Sequence, residues 1–271
     1  MTRIALGLEY DGSNWLGWQT QPSGNTLQDR LQNSIHVISG HPVNTICAGR
    51  TDTGVHALNQ VVHFDTTTNR PITAWIRGVN SQLPDSLSVL WAKEVPEDFH
   101  ARFSARGRRY RYVLLNRPQR PGLSSGKVGW YHRPLNLAAM QTAVSLLLGE
   151  HDFSAFRAAQ CQAKSPVKTM LLAKVTQQGE CFYFDFVATA FLHHMIRNLV
   201  GTLVYIGSGR EPVSWINTLL EMRDRRFAAP TFAPDGLYFL GPAYEERWQL
   251  PGLTENSLLS DNPLPSRQLL P

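Results

Sequence analysis

The order of apolar and polar positions divides the chain into two similar runs of secondary structure. In the first run, alternation predicts a strand at residues 2–10, and apolar residues spaced by three and four predict a helix that begins after Asn25 or Thr26 and ends near Ser39. The remaining predicted elements of this run are strands at 43–48, 60–64 and 87–95 and a helix that Pro71 opens. The order is therefore β-α-β-β-α-β.

The second run begins with a strand at residues 102–115 that is rich in arginine and tyrosine. A period of two places Arg106, Arg108, Tyr110 and Tyr112 on one face of this strand, and Arg109, Arg111, Val113 and Leu115 on the other. The elements that follow are predicted helices at 136–149, 191–206 and 212–223, a hairpin of strands 169–177 and 181–189, and a last strand at 236–244.

Two such runs predict an α+β fold of two ferredoxin-like βαββαβ halves, whose antiparallel sheets flank a central active-site cleft. We place the N-terminal domain at residues 1–103 and a basic C-terminal domain at 104–250. Residues 251–271 are rich in Pro, Ser and Leu without periodicity. They are predicted to be a tail, for which disorder is one interpretation.

The distribution of charge along the chain suggests a binding partner. The net charge is +5, and it is unevenly spread, because residues 1–98 hold 6 Lys and Arg against 9 Asp and Glu whereas residues 99–250 hold 19 against 10. A basic C-terminal half suggests a surface for a polyanion, most simply a nucleic acid, although many basic proteins bind none.

Cysteine usage and hydropathy exclude other classes. The three cysteines form no C-x-x-C pair, which argues against a disulfide framework or a zinc site and for a reducing cytoplasm. No apolar run is as long as a membrane span, and the strand pattern begins at Thr2, so we expect no signal peptide.

The first candidate for chemistry is Asp52, in the stretch GRTDTGVHA at residues 49–57. This stretch joins two predicted strands, and its glycines let a ligand approach the backbone closely. Gly, Asp and Thr are also ordinary turn residues, so the local pattern leaves both a turn and a functional loop open.

The second candidate is Arg197, in the middle of the predicted helix at 191–206. This helix is apolar almost all round, and a buried guanidinium is unfavourable unless it meets a carboxylate or a phosphate. The alternative is that the side chain extends to the surface. His193 and His194 lie about 100° apart on a helix, so we predict no metal site from them.

These stretches occur together with others in a fixed order. They are residues 10–12, 17–19, 49–57, 80–85, 99–105 with 108–112, the Arg197 helix and 233–238. In this set the chain resembles the tRNA pseudouridine synthase A family from Thr2 to about Tyr244. The resemblance implies an isomerase that converts uridine to pseudouridine at positions 38 to 40 of the tRNA anticodon arm, as a homodimer, without cofactor or metal.

The resemblance also implies roles for single residues. Asp52 would be the nucleophile, attacking the anomeric carbon of the ribose or, alternatively, the base. Tyr110 would pack on the base and accept the C5 proton, and Arg197 would pair with the Asp52 carboxylate. The substrate-binding residues would be Arg50, which displaces the base, Leu237, which lines the pocket, and Arg108 and Arg109 of the basic strand. Phosphates would also bind the arginine cluster from Arg102 to Arg111 and the residues Arg223, Arg225 and Arg226.

Two other functions stay open. A nucleosidase needs water and a second carboxylate, for which Asp11, Asp65 and Asp85 are candidates by type. A non-catalytic RNA-binding protein would use Asp52 only as a turn residue. One departure from the family is Asn59, where glycine is common; because asparagine tolerates left-handed backbone angles, we expect little effect.

Overall fold

A computed structural model describes residues 1–259 and gives them a mixed α+β fold, which confirms the predicted class. The strands are β1 (Thr2–Tyr10), β2 (Ile46–Cys47), β3 (His56–Thr66), β4 (Leu87–Val95), β5 (Ala105–Asn116), β6 (Gly129–Tyr131), β7 (Gly149–Asp152), β8 (Val167–Gln178), β9 (Cys181–Ala188), β10 (Leu237–Tyr244) and β11 (Leu253–Thr254). The α-helices are α1 (Leu27–Ser39), α2 (Leu137–Ser145), α3 (Met195–Gly207) and α4 (Trp215–Met222). None of these helices has both the length and the apolar character that crossing a membrane requires.

The chain forms two compact units. The first unit is Met1–Arg108 together with the chain from Phe239 onward, and the second unit is Arg109–Tyr238. The first unit therefore extends five residues beyond the predicted boundary at 103. It also includes most of the last strand, which we had predicted to belong to the C-terminal domain.

The first unit is built on a sheet in the order β4-β1-β3-β10, with β2 on β3 and β11 on β10. Strand β1 pairs antiparallel with both β3 and β4. Helix α1 begins where predicted, because the Thr26 side chain accepts a hydrogen bond from the Asp29 N–H at 3.2 Å. It ends at Gly40, whose φ is +77°.

One predicted strand of the first unit is shorter in the structure. The strand predicted at 43–48 is reduced to β2, and the side chain of Gln32 takes the Thr45 N–H at 3.0 Å in place of a sheet partner. The helix that Pro71 was predicted to open is present over residues 72–80, with a π-helical turn at Ala74–Gly78 in its middle. Trp75 and Val79 are buried, whereas Ile72 at its start is exposed.

Asn59 lies inside β3, not at a left-handed position. It is buried; a Cβ at Gly252 would collide with its side-chain nitrogen, and a Cβ at Gly241 would make tight contacts of 3.0 to 3.3 Å with it. The larger side chain is therefore accommodated by two glycines that pack against it, rather than by the backbone freedom that the sequence suggested.

The second unit contains a sheet in the order β5-β9-β8-β7, with β6 parallel to β5. The predicted hairpin is confirmed as β8 and β9, which pair antiparallel around Gly179. Helix α3 begins at Met195 and not at 191, because His194 has a φ of +60° and cannot continue a helix. Arg197 is therefore the third residue of α3 and not its middle.

The predicted tail begins with ordered structure. Leu253 and Thr254 of β11 pair with Ala243 and Tyr244 in β10, and Leu258 is buried. Residues 260–271 lie outside the described residues.

Candidate active site

The Asp52 loop, defined as residues 49–55, is fixed by hydrogen bonds from buried polar side chains. Gln60 is fully buried, and its side-chain amide donates to the carbonyl of Gly49 at 2.5 Å. The Tyr10 hydroxyl lies 2.8 Å from the Thr51 hydroxyl, and Thr51 is itself buried. The residue before Asp52 is thus fixed through its side chain.

A second segment, residues 11–18, braces the same loop through its backbone. The Trp18 N–H donates to the Thr51 carbonyl at 3.0 Å, and the Gly12 N–H donates to Nδ1 of His56 at 3.1 Å. A Cβ at Gly12 would collide with the Val55 carbonyl, and one at Gly17, where φ is +84°, would lie 2.8 Å from the Thr51 carbonyl. These contacts hold residues 11–18 closely against the Asp52 loop.

Asp52 itself lies at a tight turn, since the Val55 N–H donates to its carbonyl at 3.1 Å. Its side chain is half-buried, and the neighbouring Arg50 is exposed. The sequence left a turn and a functional loop as alternatives for this stretch. The structure contains a turn that is held on two sides, and such a turn can also serve as a functional loop.

The segment 11–18 carries two large aromatic residues, Trp15 and Trp18. Trp18 is a core residue with 1% exposure, and its ring centroid lies 6.0 Å from that of Tyr10. Trp15 is half-buried, and its indole N–H donates to the Ser86 hydroxyl at 3.2 Å. Trp18 therefore belongs to the core of the first unit.

Arg108 ties the strand before the Asp52 loop to another loop of the first unit. Its guanidinium donates to the Ala48 carbonyl at 3.2 Å and to the Arg102 carbonyl at 2.6 Å. Burial raises the pKa of the Cys47 thiol to about 12, and the positive charges of Arg50, Arg102 and Arg108 oppose this rise. The positive charges of these three arginines therefore act on the strand that precedes the Asp52 loop.

Arg109 has a different environment, in the second unit. It is 2% exposed, and its guanidinium lies 4.0 Å from the carboxylate of Asp185. The same carboxylate accepts two hydrogen bonds from Arg111, at 2.9 and 3.0 Å. The two arginines share the carboxylate of Asp185, which agrees with their predicted position on one face of the strand. The buried position of Arg109 favours a structural role.

Three more predicted site residues lie in the second unit. Tyr110 is buried, and its ring meets that of Phe191 edge-on at 5.1 Å between centroids. Arg197 is half-buried, and its Nε donates to the Phe232 carbonyl at 2.8 Å. Leu237, at the start of β10, is 5% exposed.

The cluster Arg223, Arg225 and Arg226, predicted to bind phosphate, is divided by the structure. Arg226 pairs with Asp224 at 2.6 Å on the surface. Arg223 is exposed. Arg225 turns inward and donates to Asn198 and Thr231, at 3.1 and 3.2 Å, and burial lowers its pKa.

The motifs that form this geometry are those of a known family. A sequence model of the tRNA pseudouridine synthases matches residues 8–104 and 143–245. The chain belongs to this family. It is therefore an isomerase that makes pseudouridine.

Relatives within the family cover almost the whole chain. The chain is 63% identical to tRNA pseudouridine synthase A of Dechloromonas aromatica (strain RCB) over 256 residues, which is 94% of this chain and 98% of that synthase. It is 58% identical to tRNA pseudouridine synthase A of Methylobacillus flagellatus (strain ATCC 51484 / DSM 6875 / VKM B-1610 / KT), with the same coverage of both chains.

Sequence reasoning missed the inward contacts of two polar residues, Gln60 and Arg225. Gln60 was assigned only to a strand, and Arg225 was assigned to phosphate. A polar residue that opens an otherwise apolar strand core was a usable signal for Gln60, because buried amides need partners. No local signal distinguishes Arg225 from its exposed neighbours.

Proposed function

We propose that this synthase acts on uridines at positions 38 to 40 of the tRNA anticodon arm, with Asp52 as the nucleophile. The observation that carries the proposal is the bracing of the Asp52 loop. Thr51 is bonded through its side chain and its carbonyl, while the next side chain, Asp52, stays half-buried. A nucleophile that must meet one carbon atom benefits from such a fixed backbone.

The reaction conserves all atoms of the nucleotide. The Asp52 carboxylate attacks the anomeric carbon as the bond from that carbon to N1 breaks, and uracil leaves as an anion. The uracil turns, its C5 bonds to the anomeric carbon, and the ester to Asp52 breaks. C5 then loses its proton and N1 gains one. No second acid is needed, because the leaving group is retained and used again.

Tyr110, Arg197 and Leu237 would complete the site. Arg197 lies in the first turn of α3, where backbone N–H groups add to its positive charge, so this position favours an anion. We assign that anion to the Asp52 carboxylate, whose ionised form the pairing stabilises. Tyr110 packs on the base and accepts the C5 proton, and Leu237 lines the pocket.

The remaining contacts would extract and hold the substrate. A uridine inside a stem must leave its stack, at a cost of roughly a few kcal/mol. The exposed Arg50 next to Asp52 is suited to displace it. We place Arg108 at the substrate through the loops that it joins, and Arg109 as support for the strand that carries Tyr110.

Two of the candidate second carboxylates for a nucleosidase, Asp65 and Asp11, already have hydrogen-bond partners. Asp65 is held by Arg3 through two bonds of 2.8 Å at the end of β3 remote from the Asp52 loop. Asp11 accepts hydrogen bonds from the N–H and hydroxyl of Ser13.

The decisive test uses Asp52→Asn, which keeps the shape of the side chain and removes its charge. We expect pseudouridine formation in a tRNA transcript to fall on the order of a thousandfold or more, with tRNA affinity largely kept. The matched control is Glu94→Gln, an exposed carboxylate of the first unit, which is expected to keep full activity. Free uracil would indicate a nucleosidase, and normal turnover by Asp52→Asn would rule out the nucleophile.

Several wider expectations belong to the same proposal. We infer a cytoplasmic homodimer that contacts one tRNA with both subunits, and a reaction that needs no metal or cofactor. We also infer ferredoxin-like halves; in the first unit the strand order β4-β1-β3 with β2 beyond β3 supports this.

A further inference from the structure

The most exposed phenylalanine among residues 1–259 is Phe103, which is 75% exposed. It lies in the loop formed by residues 99–104 of the first unit. An aromatic ring of this size is normally buried, because burial removes apolar surface from water. A ring held in solvent therefore needs either a mobile loop or a partner.

The loop around Phe103 is closed by its own hydrogen bonds. His100 stacks on Phe103 with centroids 4.2 Å apart and an interplanar angle of 27°. Nδ1 of His100 accepts the N–H groups of Arg102 and Phe103, both at 3.2 Å. Ser104 and His100 exchange two further bonds, at 2.8 and 3.0 Å. One face of the Phe103 ring is thus covered by the His100 ring, whose position these hydrogen bonds fix.

The loop is also anchored in the core of the first unit. The Ala101 N–H donates to Nδ1 of His63 at 3.1 Å, and the Tyr244 hydroxyl donates to the Ala101 carbonyl at 2.7 Å. Phe99 is fully buried against Tyr244 and Trp248, with centroids 5.3 and 5.2 Å away. A platform with this support loses little conformational entropy when a ligand binds.

The charges beside the ring select the kind of ligand. The exposed Arg102 places its guanidinium 5.7 Å from the Phe103 centroid. Residues 99–108 contain three arginines, of which Arg106 is paired with Glu245 on the surface, and Glu97 and Asp98 directly precede this range. Arg108 joins this loop to the strand before the Asp52 loop through the carbonyls of Arg102 and Ala48. A supported ring among cations suits a nucleobase next to a phosphate better than the surface of a second, basic copy of this chain.

We propose that Phe103 and Arg102 form a docking surface for an unpaired nucleotide of the tRNA substrate. The base stacks on the open face of Phe103, and a phosphate beside it pairs with Arg102. This surface rests on the proposed function, because it belongs to the unit that carries Asp52. It positions RNA by stacking and charge, without reading the identity of the base.

Substitutions in the full-length enzyme test the stacking. We expect Phe103→Ala to weaken the affinity for the tRNA transcript by about tenfold to a hundredfold, and Phe103→Trp to keep it. Arg102→Ala is expected to reduce the slope of log affinity against log salt by about one, whereas Phe103→Ala leaves that slope unchanged. The control is Val37→Ala, which shortens another exposed apolar side chain of the first unit and is expected to bind as the unmodified protein does.

Crosslinking separates RNA from a protein partner. A benzophenone side chain at position 103 is expected to give a protein–tRNA adduct on irradiation. An adduct of two chains instead, or Phe103→Ala binding as tightly as Val37→Ala, would overturn the docking surface. Product formation by the unmodified enzyme is scored separately. If it forms no pseudouridine at positions 38 to 40 but Phe103→Ala still weakens binding, the proposed function fails and the docking surface stands.

Discussion

At the scale of single residues, His63 shows how burial sets a pH limit on the loop that carries Phe103. His63 is 2% exposed, and its Nδ1 accepts the Ala101 N–H, so the ring serves as a neutral acceptor. Burial lowers its pKa to about 4; the positive charges of His100 and Arg3 add to this shift, and Asp65 opposes it. Protonation would therefore charge a buried ring.

The first prediction concerns stability against pH. Because the pKa of His63 is about 4 in the folded state and near 6.5 when unfolded, the unfolded state binds more protons between these values. The contribution of His63 to the free energy of unfolding is therefore fully present above about pH 6.5. It falls by roughly 3 kcal/mol as the pH drops to about 4. Urea unfolding at several pH values measures this change.

The variant His63→Asn keeps an acceptor and removes the titrating group. It is expected to be less stable at neutral pH but to lose less stability between pH 6.5 and 4 than the unmodified protein. The control His36→Gln changes an exposed histidine of α1 and should leave the slope unaltered. Equal slopes for His63→Asn and the unmodified protein would exclude His63 as the source.

Burial also limits what a sequence reveals about single charges. Alternation along β5 correctly placed Arg109 and Arg111 on one face. It gave no sign that one is 2% exposed, because their shared partner, Asp185, is more than 70 residues away in the chain. The contrast between exposed Arg50 and buried Arg109 depends on such long-range contacts, which no local pattern records.

At the scale of elements, the segment at residues 228–232 is fastened to α3 by Arg225. The Arg225 guanidinium bonds Asn198, Thr231 and the Ala228 carbonyl, and Thr231 bonds Asn198 at 2.7 Å. A Cβ at Gly201 would collide with the Pro230 carbonyl, so this segment lies directly on the helix. It ends at Phe232, whose carbonyl accepts from Nε of Arg197.

The second prediction is that Arg225 positions Arg197. The substitution Arg225→Ala removes the hydrogen bonds that hold residues 228–232 on α3. The Phe232 carbonyl, which accepts from Arg197, is then no longer fixed, so the Arg197 side chain loses its constraint. We expect kcat to fall by about tenfold or more, with KM for tRNA little changed and partial recovery in Arg225→Lys. Single-turnover assays on a tRNA transcript separate the two constants.

The exposed neighbour gives the matched control. Arg226→Ala removes the same charge from the same short segment but breaks only a surface pair with Asp224, so kcat is expected to stay unchanged. If Arg225 bound phosphate instead, as the sequence suggested, its loss would raise KM and reduce the salt dependence while kcat stayed constant.

Elements with local signals were predicted well, and those set by distant contacts were not. The cap at Thr26 and the turn at Gly179 fixed α1 and the β8–β9 hairpin within a few residues. Strand β7 was missed, because it exists only through its pairing with β8. The start of α3 was placed too early, because an apolar run continues through His194 although the backbone there is left-handed.

At the scale of the whole molecule, charge is divided between the two units. Residues 109–238 hold 15 Lys and Arg against 8 Asp and Glu, whereas the remaining residues hold 11 against 13. Affinity for RNA depends on phosphate contacts, each of which releases counterions. The second unit is therefore expected to supply most of the salt-dependent part of tRNA binding.

The last prediction tests this division with two double variants that remove the same charge. Arg120→Ala/Arg133→Ala removes two exposed cations from the second unit, and Arg70→Ala/Arg77→Ala removes two from the first. The slope of log affinity against log salt is expected to fall by about one per lost phosphate contact in the first pair and to stay unchanged in the second. Because both pairs lower the net charge equally, a general effect of charge would reduce both slopes alike. That result would mean that the surplus of the second unit serves solubility, and that tRNA is held by contacts spread over both units.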